Sequence, residues 1–465
     1  MSEPTHADAA EIAARAIARA RAAGAAACDV VLVASRSSEA RVRDREIDFV
    51  KQARERGLGI RVLVRDPKRG AGLSSAVTST SDLAPAAVDR MAEETVALAR
   101  ATAPDPHAGL PEEGFARDAA GLDLDLYEAA DADVPIEARI DDAFAAEAAA
   151  RATDPRIANS EGTQVGSDAS FVTYANSEGF VGSYASGAHS LFCEPLARDA
   201  RGMQRDWWMT VARRLAALER PERVGRTAAE RALRRLGARR VATCRVPVIF
   251  DAVTAPSLVR HVAACASGGA VYRESTFLAG RLGDAIASER VTIVDDGRLR
   301  GGLGSKPFDG EGLPTRRNVL VDGGRLRTWL LDSYAARKLG MASTGNASRG
   351  VGSAPGVGTT NLWLEPGDGG TLADIVAATD RGLLVTELIG MGFNPVTGDY
   401  SRGAAGLWIE NGEIAYPVEE ITIAGHLGDM LAAIDRVGSE LAWLGAAASP
   451  PLRIAEMTIA GEGSG

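Results

Sequence analysis

The segment "GLWIENGEIAYPV", Gly406–Val418, sets Asn411-Gly412 between two apolar runs, "LWIE" and "EIAYPV". Asn and Gly tolerate the positive φ that a two-residue type I′ turn requires, so the segment predicts an antiparallel hairpin. A second hairpin is predicted upstream, where "NVLVDGGRLRTWLL" places Asp322-Gly323-Gly324 between apolar runs. Between the two lie a Gly-rich stretch, Ser343–Asp368, and "TLADIVAATDRGLLVTEL", which supplies a helix and then a strand. These signals make the third part of the chain, residues 242–465, rich in strands and loops.

Two earlier modules mix helix and strand, so the fold class is α+β throughout. In the first, residues 1–104, the Ala-rich run Ala9–Ala22 predicts a helix ended by Gly24. Alternating residues over Cys28–Asp66 predict antiparallel strands. "STSDLAPAAVDRMAEETVALARA" predicts a helix with a Ser/Asp cap that runs to about Ala101. The Pro-rich Pro104–Pro111 reads as a linker. In the second, residues 112–240, helices are predicted at Ile136–Ala152 and Pro221–Gly237. Short β-like runs punctuated by Gly and Asn-Ser lie between them, from Arg156 to Met209.

The 465 residues carry a formal net charge of -10, with 46% apolar, 25% charged and only 5% aromatic residues. Much of the packing must therefore use Ala and Gly. The Arg-rich Ala212–Arg240 is interleaved with Glu and reads as a solvated helical face. Without a net basic footprint, nucleic-acid binding is not expected. The four cysteines, at 28, 193, 244 and 265, form no C-x-x-C, which fits a reducing compartment. No leader-like or membrane-length apolar run is present, so a cytoplasmic protein without membrane association is expected.

Motifs for zincins, serine hydrolases, Walker-type nucleotide binding and dinucleotide binding are absent. The glycines at 350, 352, 356 and 358 read as a flexible binding loop rather than a phosphate cradle. "SLVRHVAACASGGAVYRES", Ser257–Ser275, predicts a helix capped by Thr254, with Pro256 in its first turn and Gly268-Gly269 at its end. His261 and Cys265 border its apolar stripe, and their spacing puts them on one face. "TGDYSRG", Thr397–Gly403, reads as a turn carrying an acid, a phenol, a hydroxyl and a guanidinium. Asp399, Tyr400, Ser401 and Arg402 are either contacts for a peptide or partner, or a local structure with Asp399 paired to Arg402. Asn346, in "STGN", is a similar candidate. No base-activated nucleophile stands out, so no catalytic residue is assigned.

The stretches "SGGAVYRESTFLAGRLGD", "KPFDGEG", "LLDSYAARKLGMASTGN", "GLLVTELIGMG", "TGDYSRGAAGLWIENGEIAYPVEEITIAGHLGDML" and "EMTIAG" closely resemble the TldD/PmbA family over nearly all of 242–465. "TGDYSRGAAGLWIENGE" points to its PmbA (TldE) branch. The resemblance implies a β-rich C-terminal domain of the PmbA/TldD type after the N-terminal sheet-and-helix modules. In the TldD branch the corresponding helix carries H-E-x-x-x-H, and a late cysteine adds a ligand. Aligned without gaps up to "GAVYRES", the three motif positions here hold Arg260, His261 and Cys265, and no cysteine follows Cys265. A guanidinium about 4 Å from a dication would be repelled by roughly 8 kcal/mol at an effective dielectric of about 20. No metal is therefore expected in this chain, and zinc is expected in a TldD-type partner.

The resemblance implies the zinc-free subunit of a TldD/TldE-type metallopeptidase complex acting on unfolded or extended peptides, in proteolysis and peptide maturation. The family's older label, modulator of DNA gyrase, does not imply DNA binding by this acidic chain. Two alternatives remain at the level of sequence: a homodimeric peptide-binding protein without catalysis, and an autonomous hydrolase using His261 and Cys265.

Overall fold

The structure, a computed structural model, describes residues 6–68, 70–112, 114–118 and 121–461. Residues 1–5 and 69 of the first module, 113, 119 and 120 of the second and 462–465 of the third lie outside the described residues. Helix His6–Ala22 buries Ala9, Ala13, Ala16 and Ala20 in one stripe. The stripe meets Val88, Ala92, Val96 and Ala99 of helix Pro85–Ala101, and both helices cover strands Ala27–Arg43 and Glu46–Val64. A second helix pair, Glu137–Thr153 and Pro221–Leu233, packs through Ala143, Ala146, Ala228 and Ala229. At Gly225 a Cβ would lie 1.9 Å from the Ala146 carbonyl oxygen, so the two backbones approach as only glycine allows.

The strands of the two N-terminal modules join in one seven-stranded sheet, with Ala27–Arg43 pairing antiparallel to Ile157–Asn176 from Asp29↔Asn176 to Val42↔Thr163. The predicted short β runs are instead two strands, Ile157–Asn176 and Val181–Asp199, of 20 and 19 residues. Their internal glycines are accommodated because the ladder on both sides supplies the backbone hydrogen bonds.

The C-terminal part holds a closed barrel. Strand Glu413–His426 pairs with Asp399–Glu410, which pairs with Arg381–Ile389. That strand runs parallel to Cys244–Phe250, which pairs with Leu452–Ala460, and Leu452–Ala460 returns to Glu413–His426. A second six-stranded sheet has Ile293–Asp296 and Asn361–Leu364 at its centre. Both expected hairpins form: Asn411 and Gly412 adopt φ of 52° and 77°, and Gly323 and Gly324 adopt 52° and 78°. Helix Pro256–Cys265 packs against Asn361–Leu364, and its Leu258, Val259 and Val262 enter the core shared with the barrel. Among the described residues no helix is long and apolar enough to cross a membrane.

Several local expectations are corrected. The Thr254 hydroxyl donates to Asp251 Oδ1 at 2.9 Å and does not cap the helix, whose N-cap is Ala255. Likewise, no Ser or Asp side chain caps helix Pro85–Ala101. Gly268 opens the next short helix, Gly268–Tyr272, where a Cβ would lie 2.4 Å from Leu331 Cδ2. "TGDYSRG" is not a turn: Asp399 begins a strand that pairs with Glu413–His426 from its first residue. The Gly-rich stretch is docked rather than free, since a Cβ on Gly59 would lie 1.8 Å from the Val351 carbonyl oxygen.

A buried charge network joins the N-terminal sheet to the C-terminal part. Arg61 donates to Asp29 Oδ2 through Nε at 3.0 Å and Nη2 at 2.5 Å, and Arg349 Nη1 reaches Oδ1 at 2.5 Å. Glu311 lies 3.5 Å from Arg61 and accepts from the Ser333 amide at 2.9 Å. Burial alone would raise the Asp29 pKa, but the two guanidiniums outweigh it and hold the carboxyl below its ordinary value. Its contribution is thus present above about pH 4 and is lost as pH falls through the folded value. Asp29→Asn leaves two guanidiniums without their shared anion and should cost about 3–5 kcal/mol. Denaturant unfolding at pH 7 checks this; a loss below about 1 kcal/mol would remove the network from the joint.

Candidate functional site

The two regions singled out in the sequence, around 260 and around 400, meet in space. The loop between strands Arg381–Ile389 and Asp399–Glu410 folds back on its own strand: Ser401 N donates to Gly392 O at 2.6 Å and Asn394 N to Asp399 O at 2.9 Å. A Cβ at Gly392 would lie 1.5 Å from the Ser401 carbonyl oxygen, so this approach needs glycine. The fold-back lays Phe393 on the His261 ring, centroids 4.3 Å apart, with the Tyr400 ring 6.1 Å away. Strand alternation puts Tyr400 and Arg402 on one face and Asp399 and Ser401 on the other. The local Asp399–Arg402 pair is therefore not formed. Asp399 accepts from the Thr397 hydroxyl at 2.6 Å instead, and Ser401 is exposed.

Arg402 and Arg260 line one cavity of about 460 Å³ at the junction of sheet and barrel, together with Thr386 and Glu387 from the barrel and Glu194, Arg205 and Asp206 from the N-terminal part. Arg235, from beyond helix Pro221–Leu233, pairs with Glu387 at 2.5 Å, and Arg205 lies 3.7 Å from Glu194. Among the described residues neither Arg260 nor Arg402 has a carboxylate within ion-pair distance. The Arg402 Nε is buried without an acceptor. Thr386 sits where the pairing register of its strand shifts, between Val385 and Glu387, and is 3% exposed with an unpartnered hydroxyl. Such a bulge re-aims a side chain out of the ladder. Sequence reasoning missed Thr386, because nothing local marks the bulge.

His261 is held neutral. Burial lowers its pKa to about 4, reinforced by the Arg402 and Arg260 charges, and its Nε2 has no hydrogen-bond partner. Burial raises the Tyr400 phenol to about 12, with Arg402 pulling in the opposite direction. Cys265 is fully buried, and burial pushes its thiol to about 11, partly offset by a hydrogen bond with Thr276. A thiolate–imidazolium pair does not fit these environments. Asn346 lies apart from the cavity. Its amide donates to Asp295 Oδ1 at 2.7 Å and accepts from the Thr344 hydroxyl at 2.7 Å, so its polar capacity serves the second C-terminal sheet.

The donor set does not fit a metal ion. Among the described residues no group of three or more His, Cys, Asp or Glu side chains is placed to hold one. The positions expected for ligands present a guanidinium, an imidazole beside two guanidiniums and a protonated thiol. Arg260 and Arg402, which have no carboxylate partner among the described residues, suit an anion, while an unpartnered acceptor on the same cavity, Asp206 Oδ2, lies 4.0 Å from Arg235 Nη1.

With this geometry in view, comparison with known proteins is informative. Residues 28–99, 130–236 and 243–461 match domain 1, the central domain and the C-terminal domain of the PmbA/TldA metallopeptidases. The chain is 40% identical over 418 residues to the metalloprotease PmbA of Escherichia coli O157:H7, covering 90% of this chain and 88% of that protein. It is 40% identical over 403 residues to a PmbA homologue of Haemophilus influenzae, covering 86% and 84%. Among solved structures, TldE from Thermococcus kodakarensis superposes with a TM-score of 0.82 at 25% identity, covering 96% of this chain and 99% of that one. A candidate modulator of DNA gyrase from Bacteroides thetaiotaomicron gives 0.87 at 27% identity, covering 97% and 99%. From its first sheet to the last strand of its barrel, the chain belongs to the PmbA/TldD metallopeptidase family.

Proposed function

We propose that this chain is the metal-free subunit of a two-subunit peptidase acting on extended peptides, with a TldD-type chain as the subunit that carries zinc. The observation that carries this reading is the cavity at the junction of sheet and barrel. Arg260, His261 and Cys265 occupy the helix where the catalytic branch of the family is expected to hold its metal motif, and Arg402 adds a second positive charge beside them. A neutral His261 and a protonated Cys265 leave the chain without an activated nucleophile of its own. Its residues are suited to binding and orienting instead. The rim supports this role: Met391 is fully exposed, and Ile389 and Val396 are more than half exposed, within eight residues of one another. An apolar cluster beside a polar cavity is what a covering chain or a peptide would contact.

The purified chain should hold much less than one zinc per molecule and cleave no peptide. Mixing it with its TldD-type counterpart should yield a complex whose cleavage is abolished by a chelator. Elemental analysis, light scattering and a peptidase assay check this. Chelator-insensitive cleavage by the chain alone would instead support the His261/Cys265 hydrolase.

Two substitutions probe the helix. Cys265→Ser should leave the activity of the assembled complex nearly unchanged. For His261, the unfolded chain takes up a proton below about pH 6.5 that the folded chain refuses until about pH 4. Its effect is therefore a loss of stability as pH falls through that window, and none above it. His261→Gln should narrow the stability gap to wild type between pH 7 and pH 5, read from thermal midpoints. Parallel curves would show that the imidazole is not held neutral.

A further inference from the structure

The cavity keeps two buried hydrogen-bond donors without acceptors, the Arg402 Nε and the hydroxyl of Thr386, which is 3% exposed. Beside them Arg260 is exposed, with no carboxylate within ion-pair distance among the described residues. The cavity's other two guanidiniums, Arg205 and Arg235, have carboxylates. Leaving a buried donor unsatisfied costs about 1–3 kcal/mol, so the Arg402 Nε and the Thr386 hydroxyl, facing one cavity with a free guanidinium beside them, point to a missing acceptor. The supports are firm: Arg402 stands on a strand paired at Ile423, Arg260 on a helix whose opposite face is core, and Phe393, His261 and Tyr400 pack behind them.

We infer that Arg260, Arg402 and Thr386 form a carboxylate-recognition site that receives the C-terminal carboxylate of an extended peptide. A carboxylate is acceptor-only, with about four lone-pair positions, and matches the guanidinium fork. Four guanidiniums face three carboxylates around the cavity, a balance that suits one negative charge better than a phosphate's two. A volume of about 460 Å³ falls within the usual range of small-ligand sites, roughly 300–1,000 Å³. The exposed Ile389, Met391 and Val396 lie on and beyond the strand that carries Thr386 and can meet side chains further along the peptide. The choice of a peptide rests on the proposed function, but the chemistry of recognition is this chain's own.

Calorimetric titration of the whole chain, without any partner, tests the site. The probes are N-acetyl-trialanine with a free C-terminus, the same peptide as its C-terminal amide, and an amidated peptide with an internal Glu. The free acid should bind about tenfold or more tightly than the amide. Arg260→Met and Arg402→Met should each remove most of that preference, and Arg402→Lys, which keeps the charge but loses the fork, should retain part of it. Thr386→Val, which preserves shape, should weaken the acid several-fold with the thermal midpoint unchanged. Tighter binding of the internal-Glu amide than of the free acid would keep the carboxylate chemistry and overturn the C-terminus as its source. Equal binding of acid and amide, absence of binding at millimolar peptide, a preference that survives Arg402→Met, or stronger competition by inorganic phosphate than by acetate would overturn the inference. Because no cleavage or partner enters the measurement, a carboxylate preference in a chain that fails to reconstitute a peptidase would separate this site from the proposed partnership.

Discussion

The shared anion at Asp29 is the interaction on which the rest of the structure leans. Arg61 comes from the adjacent strand of the N-terminal sheet, Arg349 from a loop more than three hundred residues away, and both converge on one buried carboxylate. Other arginines cross the same boundary. Arg213 donates to the Leu303 carbonyl at 2.6 Å, and Arg337 to the His107 carbonyl at 2.7 Å. An aromatic cluster crosses the same boundary, with Tyr174, Phe180 and Tyr184 packed around Phe308. Guanidiniums aimed at carbonyls and carboxylates add directional contacts to it. The joint fixes how Glu194 and Asp206 of the sheet side face Arg260 and Arg402 of the barrel side, and the cavity exists because that placement is held.

Arginine thus has two roles here. At the joint it converges on a shared carboxylate and on backbone carbonyls, and removing that anion is structural damage. At the cavity Arg205 and Arg235 meet carboxylates, while Arg260 and Arg402 do not. On helix Pro256–Cys265 the exposed Arg260 stands beside a neutral His261 and a protonated Cys265, a set without the anionic donors a metal would need. Positive charge at that position favours an anionic ligand and, at the same distance, opposes a dication about twice as strongly.

Much of the architecture was legible from local signals. The hairpins at Asn411-Gly412 and Gly323-Gly324 follow from residues that tolerate positive φ. The Ala-rich helices could also be read directly from the chain. The misreadings share a cause. "TGDYSRG" has the composition of a turn, yet pairing from Asp399↔His426 onward makes it strand, and strand alternation then parts Asp399 from Arg402. The Gly and Ser within Ile157–Asn176 look like punctuation, but partners on both sides hold the strand continuous.

The sequence by itself determined the elements, their turns and the family, because each is encoded within a few residues or in a continuous run of matching residues. Only the tertiary structure decided that Arg260, Thr386 and Arg402 share a cavity. That meeting requires Cys244–Phe250 to lie parallel to Arg381–Ile389, the latter strand to bulge at Thr386 and the following loop to fold back over Ser401. Such pairings depend on closing the barrel across well over a hundred residues, and no periodicity or local spacing carries that information.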